Sequence, residues 1–196
     1  CGLSYWLAGM SAFDAISHSF STIAIGGFST HDASLGYFDN NVIVLIATFF
    51  MLASGINFAL HFFAWRHRSV KHYLQDSEAK FYFFLLITGC ILTVFVLTRS
   101  GVLSAEDAWV HGVFTVVSIG TTTGFATENF SAWPQGLPWA IFFLAFAGGC
   151  AGSTGGGMKC IRVLLVWRQA LREVVQLVHP NAVIPVKLGK RAVAPR

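Results

Sequence analysis

From Val42 to Trp65 the chain runs for about 24 residues without an Asp, Glu, Lys or Arg, enough helix to cross the roughly 30 Å hydrocarbon core of a bilayer. No ordinary soluble fold offers solvent to so long an uncharged stretch, so this segment reads as a transmembrane span. Phe81 to Leu97 is a second, shorter candidate, and Pro138 to Ala151 is a third that runs into glycines before it is long enough to cross. Composition agrees: 55% of the residues are hydrophobic and 11% charged, against roughly 25% charged in an average soluble domain.

Basic residues orient the spans, because cytoplasmic flanks accumulate Lys and Arg. Arg66, Arg68, Lys71 and Lys80 lie between the first two spans, and Lys159, Arg162, Arg168, Arg172, Lys187, Lys190, Arg191 and Arg196 follow the third. Both stretches are expected inside. Asp14, Asp32, Asp39, Arg99, Glu106 and Asp107 are expected outside. The net charge of +4 is therefore a record of topology, and without an aromatic-interleaved basic patch it excludes nucleic-acid binding. Cys1, Cys90, Cys150 and Cys160 have no CxxC spacing and read as packed free thiols.

The chain repeats itself. Asp14-Ala15-Ile16-Ser17-His18 recurs as Asp107-Ala108-Trp109-Val110-His111, an offset of 93, and Gly27-Phe28-Ser29-Thr30 recurs as Gly124-Phe125-Ala126-Thr127, an offset of 97. The two copies thus differ by about one helical turn between the acidic start and the Gly-Phe pair. Each copy reads as a short helix, a loop and a long helix. Ala12 to Ile23 and Ala105 to Ser118 are too short to cross a bilayer and are expected to be re-entrant. His18 and His111 follow their acidic residues by one turn, and local hydrogen bonding accounts for them.

The loops that follow, Ala24, Ile25, Gly26 and Gly27 in one copy and Thr121, Thr122, Thr123 and Gly124 in the other, are poor helix material. Irregular backbone at membrane depth is tolerated where protein buries it or water reaches it. Their chemistry suits a dehydrated monovalent cation: backbone carbonyls replace water, glycine permits the required dihedrals, and hydroxyls add uncharged oxygen. The short helix also turns its partially negative C-terminal end toward the loop.

With FSTIAIGGFSTHD at 20–32, SIGTTTGFAT at 118–127 and AGGCAGSTGGGMK at 147–159, the chain resembles the Trk/Ktr/HKT superfamily of potassium transporters, and its bacterial TrkH-type subunits in particular. The resemblance implies an all-α membrane protein built of M1-P-M2 pore units, four of them around one pore. Each would carry a filter centred on glycine, here Gly27 and Gly124 of the second and third repeats. Residues 1–73 would hold the pore helix, filter loop and M2 of one repeat, its M1 missing. Residues 74–179 would be a complete repeat and 180–196 a cytoplasmic connector. The resemblance further implies potassium as substrate, bound at the filter carbonyls, with no cofactor. It implies a homodimer, a cytoplasmic nucleotide-binding regulatory subunit (TrkA-like), and a multi-pass location in the bacterial inner membrane.

Six glycines fall between Ala147 and Gly157, and at about 1 kcal/mol each they are expected to break the later M2. The earlier M2, with Gly55 alone, is expected to stay helical. By the resemblance the broken stretch, Gly148, Gly149, Gly152, Ser153, Thr154, Gly155, Gly156, Gly157 and Lys159, is a gate beneath the filter. An amphipathic helix is expected from Met158 to Val178, with Ile161, Leu164, Leu165, Leu171, Val175 and Val178 on its apolar side. His61 and Asn57, one turn apart, form an intramembrane polar pair that reads as glue between helices.

Rival readings are weaker. Gly152 to Lys159 lacks the Lys-Ser/Thr ending and preceding strand of a phosphate-binding loop. Ser153 with His61 or His111 could form an intramembrane serine protease, which leaves the repeated Gly-Phe loops unexplained. A conventional tetrameric potassium channel needs a Thr-Val-Gly-Tyr-Gly-like filter that is absent. The chain is expected not to be an enzyme.

Overall fold

The repeat is visible first in how the short helices start. In the computed structural model, which describes residues 1–134, 136–179, 185, 187–188 and 191–192, Gly2–Leu7 forms α1 and Ala12–Ile23 forms α2. Ser11 caps α2: its hydroxyl accepts from Asp14 N at 3.1 Å and donates to the Asp14 carboxylate at 2.7 Å. Ser104 and Asp107 repeat both bonds at 3.1 and 2.7 Å, starting the later short helix Ala105–Gly120. Ser-x-x-Asp is thus a reciprocal cap that satisfies an orphan donor in each copy. The short helices have 12 and 16 residues, and those four extra residues are the whole difference between the offsets of 93 and 97.

Asn41–Ser54 forms α3, Phe58–His67 α4, Lys71–Gln75 α5, Ser77–Ser100 α6, Ala105–Gly120 α7, Leu137–Ala147 α8 and Cys160–Val178 α9. Short 3-10 turns lie at Ser34–Phe38 and Phe130–Ala132, and two-residue strands pair Lys187–Leu188 with Arg191–Ala192 near the end. Most of the expected 180–196 connector lies outside the described residues. Helix α6 is long and apolar enough to cross a membrane, with an uncharged core and Arg99 confined to its last turn. Helix α1 stands in the chain where the last turns of α6 stand in the later copy, each followed by a capped short helix.

The span expected from Val42 to Trp65 is corrected here. Helices α3 and α4 meet at 93° across Gly55, Ile56 and Asn57, so the earlier M2 is broken as well as the later one. Asn57, a good capping residue, starts α4 by accepting from Ala59 N at 2.8 Å. Propensity alone did not forecast this, because one glycine costs only about 1 kcal/mol and the contacts that fix the break come from distant chain.

Helix α7 packs against α3, α6 and α8 and buries Phe114, Thr115, Val116, Val117 and Ser118. One apolar cluster joins α7 and Phe125 to Tyr5, Leu35, Ile43 and Met51 of the earlier copy. A second joins α7 to Tyr82, Leu86, Leu137 and Ile141. Helix α2 is less enclosed: Phe13, Ile16 and Phe20 remain exposed. Of the expected apolar side of α9, Leu164 is buried while Leu171, Val175 and Val178 stay exposed.

Candidate ion-conduction site

Both short helices end in the same motif. After α2, Ile25 N donates to Thr22 O at 3.2 Å and Gly26 N to Ser21 O at 2.8 Å; after α7, Thr122 N donates to Ile119 O at 2.9 Å and Thr123 N to Ser118 O at 2.7 Å. This is the paired 5→2 and 6→1 pattern of a Schellman C-cap. Its left-handed position normally takes glycine, yet here it holds β-branched Ile25 at φ 54° and Thr122 at φ 70°. Such residues in that region cost roughly 1–3 kcal/mol and persist at functional sites. Two residues further on, Gly27 and Gly124 are also left-handed, at 69° and 89°.

This dihedral sequence fixes where the peptides point. In a trans peptide the carbonyl lies opposite the N–H. With the N–H groups of Ile25 and Gly26, and of Thr122, Thr123 and Gly124, turned back onto their helices, the carbonyls of Ala24, Ile25, Thr121, Thr122 and Thr123 turn away from them. Among the described residues no hydrogen bond reaches the carbonyl of any of Ala24, Ile25, Gly26, Gly27, Thr121, Thr122, Thr123 or Gly124. Ile25, Thr121 and Thr123 are buried residues, and buried backbone carbonyls without donors are uncommon.

The two segments touch. A Cβ on Gly27 would run into the Thr123 carbonyl oxygen and come within 2.8 Å of its carbon, whereas a Cβ on Gly124 would meet nothing within 4 Å. Side chains brace each loop. Thr121 and Thr123 share a hydroxyl hydrogen bond at 2.7 Å, and Ser118 Oγ donates to Phe125 O at 2.7 Å. His18, fully buried, holds Asp14 O at 2.8 Å through Nδ1 and Ser29 Oγ at 2.9 Å through Nε2; His111 Nδ1 holds Thr127 Oγ1 at 3.0 Å. Local bonding therefore accounts for only half of His18, and both histidines tie the chain beyond the glycine back to the short helix. Thr30 reaches Asp14 at 2.6 Å. Hydroxyls from Thr30 and then Ser11 hold the Asp14 carboxyl below its usual range.

The glycine-rich stretch lies directly against these segments. Thr154 Oγ1 donates to Ile23 O, the last helical carbonyl of α2, at 2.8 Å, and Gly156 N donates to Thr122 Oγ1 at 2.7 Å. The stretch folds back on itself, so a Cβ on Gly157 would come 2.9 Å from Gly148 Cα and one on Gly155 3.1 Å from Gly149 Cα. These glycines answer close backbone approach as much as low helix propensity. Lys159 closes the loop at φ 71° and donates its ammonium to the Gly155 carbonyl.

The same stretch completes the break between α3 and α4. A helix end leaves four carbonyls unsatisfied; three find a donor of their own, and the fourth, Ser54 O, only shares the Thr154 proton that goes to Ile23 O. Tyr82 Oη gives to Leu52 O at 3.1 Å and His61 Nε2 to Ala53 O at 2.8 Å. Thr154 Oγ1 also lies 3.4 Å from Ser54 O, and Cys150 N gives to Gly55 O at 2.8 Å. Phe58 N donates in return to Gly152 O at 3.0 Å. His61 and Asn57 are thus not a pair: His61 donates through Nε2 to Ala53 O and hydrogen-bonds Tyr73 Oη through Nδ1 at 2.8 Å. Ser153 Oγ donates to Cys150 O at 2.6 Å and bonds neither His61 nor His111, which removes the serine-protease arrangement.

The residue that sequence reasoning missed is Glu78. It is 5% exposed and accepts at Oε1 from Ala151 N at 2.6 Å and from Ile161 N at 3.0 Å. Its only sequence signal was an acid in the first turn of a span.

Two short helices with their carbonyl-bearing termini side by side, a loop packed against them and a helix long and apolar enough to cross a membrane place the chain in the class of helical membrane proteins. The chain belongs to the TrkH family of cation transport proteins, whose family model matches residues 3–196; this is a family of transporters, not of enzymes. It is 53% identical over 98% of its length to the Trk system potassium uptake protein TrkH of Halomonas elongata and 50% identical over its whole length to that of Escherichia coli K12. The crystal structure of the potassium transporter TrkH from Vibrio parahaemolyticus superposes with a TM-score of 0.94 at 49% identity, covering 98% of this chain and 42% of that one. The chain spans about 40% of the curated relatives it matches.

Proposed function

We propose that this chain supplies two of four quasi-equivalent quadrants of a potassium-conducting pore, with Ala24–Gly27 and Thr121–Gly124 lining the selectivity filter. One observation carries the reading: two segments 97 residues apart share one dihedral sequence, free their carbonyls by the same C-cap and abut at Gly27 and Thr123. Uncharged carbonyls in such a ring replace the hydration shell of a monovalent cation without binding it too tightly to leave. The C-terminal ends of α2 and α7 add negative potential at the same place. Potassium is the transported substrate, in line with the potassium uptake proteins that the chain resembles.

The loop from Gly148 to Lys159 is the gate, since it contacts both filter-bearing termini and the broken M2. A homodimer and a cytoplasmic nucleotide-binding regulatory subunit complete the assembly in the bacterial inner membrane; the relatives are named as parts of a Trk system. The test uses full-length protein in liposomes. Gly124→Ser and Gly27→Ser each weaken potassium over sodium discrimination, and deletion of Gly152–Gly157 raises flux without the regulator. Unchanged selectivity in both folded serine variants would overturn the filter assignment.

A further inference from the structure

We propose that Glu78 is the positioning residue that clamps both ends of the glycine loop and thereby holds its tip against the filter. The inference rests on the gate reading above. Helix α9 starts at Cys160 after Lys159, which lends no side-chain cap; Cys160 N turns to Gly149 O at 3.1 Å and Arg162 N to Lys159 O at 2.9 Å, which leaves Ile161 N as the orphan that some other group must satisfy. Glu78 does so from another helix: Oε1 accepts from Ile161 N at 3.0 Å. The same oxygen accepts from Ala151 N at 2.6 Å, on the far side of the loop. One carboxylate oxygen therefore joins Ala151 to Ile161 across the intervening glycines.

The placement suits a charge. Glu78 lies in the first turn of α6 and faces the start of α9, so two helix N-termini favour its negative form, and hydrogen bonds to a charged acceptor are the strong kind. Around it sit Cys150 and Cys160, both fully buried, with Lys159 beside them. The base of the loop is fixed there, by the bonds to Gly55 and Phe58, and by Cys160 N to Gly149 O at 3.1 Å and Met158 N to Phe146 O at 3.0 Å, while among the described residues its tip hydrogen-bonds filter neighbours through Thr154 and Gly156. Releasing the base frees the tip.

The experiment measures potassium flux through full-length protein in liposomes without regulator, alongside N-ethylmaleimide labelling of Cys150 and Cys160. Glu78→Ala is expected to raise basal flux about tenfold, the population shift that losing one charged hydrogen bond produces, and to expose both thiols, leaving potassium over sodium selectivity unchanged. Glu78→Gln keeps the acceptor oxygen and should restore both protection and low flux; a Gln variant as open as Ala overturns the clamp. Should Glu78→Ala not fold, Glu78→Asp is one methylene too short to reach both ends and should be partly open, and wild-type behaviour in that variant overturns the proposal. Deletion of Gly152–Gly157 separates the two readings. If the deletion raises flux and folded Glu78→Ala does not, Glu78 is no clamp and the gate stands; if neither raises flux, the gate reading itself fails.

Discussion

The two copies of the pore unit carry nearly the same loop and meet different surroundings. Phe125 follows its glycine into the cluster of Tyr5, Leu35 and Phe114 and is 2% exposed, while Phe28, after Gly27, is 81% exposed. Ser118 bonds the Phe125 carbonyl, whereas Ser21, 97 residues earlier, has a buried hydroxyl with no partner among the described residues. Helix α7 is enclosed by α3, α6 and α8; the Phe13, Ile16 and Phe20 face of α2 is bare. Local backbone is thus set within each copy, but burial comes from the elements packed around it, and among the described residues the later copy has more of them.

The strongest challenge to that comparison comes from the filter glycines. Gly27→Ala drives a Cβ into the Thr123 carbonyl and adds left-handed strain, together costing about 3 kcal/mol or more. In full-length protein, where the next repeat should abut Gly124 as Thr123 abuts Gly27, Gly124→Ala is expected to cost as much. Thermal unfolding in detergent measures both. A Gly124→Ala variant that melts like wild type would break the ring.

The broken M2 offers the next effect. A Cβ on Gly55 would lie 2.9 Å from Tyr82 Cζ and nearer still to its hydroxyl, so Gly55→Ala is expected to cost about 1–3 kcal/mol. Tyr82→Phe alone should cost about 1 kcal/mol by leaving Leu52 O without its donor. Combined, the two should be less than additive, because the hydroxyl removed by one is the obstacle met by the other. Strict additivity in a double-mutant cycle would show that Tyr82 does not fill the break.

A smaller contrast separates Ser118 from Ser21. Ser118→Ala removes the donor to a buried carbonyl and should destabilise by about 1 kcal/mol; Ser21→Ala deletes an unpaired buried hydroxyl and should be neutral or stabilising. Equal losses would mean that Ser21 has found a partner the comparison denies it.

The smallest effect is electrostatic. Asp14 receives Thr30 as well as Ser11 and has His31 Nε2 at 3.3 Å, while among the described residues Asp107 has only Ser104. Because the folded-state carboxyl of Asp14 is depressed, its stabilising contribution is present above the unfolded value and is lost as pH falls through the folded one. Thr30→Val should therefore lower the melting temperature slightly at neutral pH and lose its effect below about pH 3. An equal shift at both pH values would assign Thr30 a packing role instead.

Much of this was legible in the residues. The bounds of α2, the two short helices, the extra turn in the later copy and the break after Ala147 all follow from apolar run length, acidic starts and glycine density. The break between α3 and α4 was not legible, since Gly55 alone looks harmless. Its donors come from Tyr82, Cys150 and Thr154, up to 100 residues away. Glu78 hid for a similar reason: an acid in a helix's first turn is ordinarily a local dipole partner, and its two real partners lie 73 and 83 residues downstream.

The sequence by itself determined the lipid environment, the duplication and the two short helices that end in glycine-bearing loops, because each depends on hydropathy, spacing or backbone propensity within a few turns of chain. Only the tertiary structure decided that Gly27 lies on Thr123, that the break after Ser54 pairs with the glycine loop, and that a single carboxylate spans that loop. Those are pairings between backbone groups, and every residue carries the same N–H and C=O, so no side-chain pattern could announce which would meet.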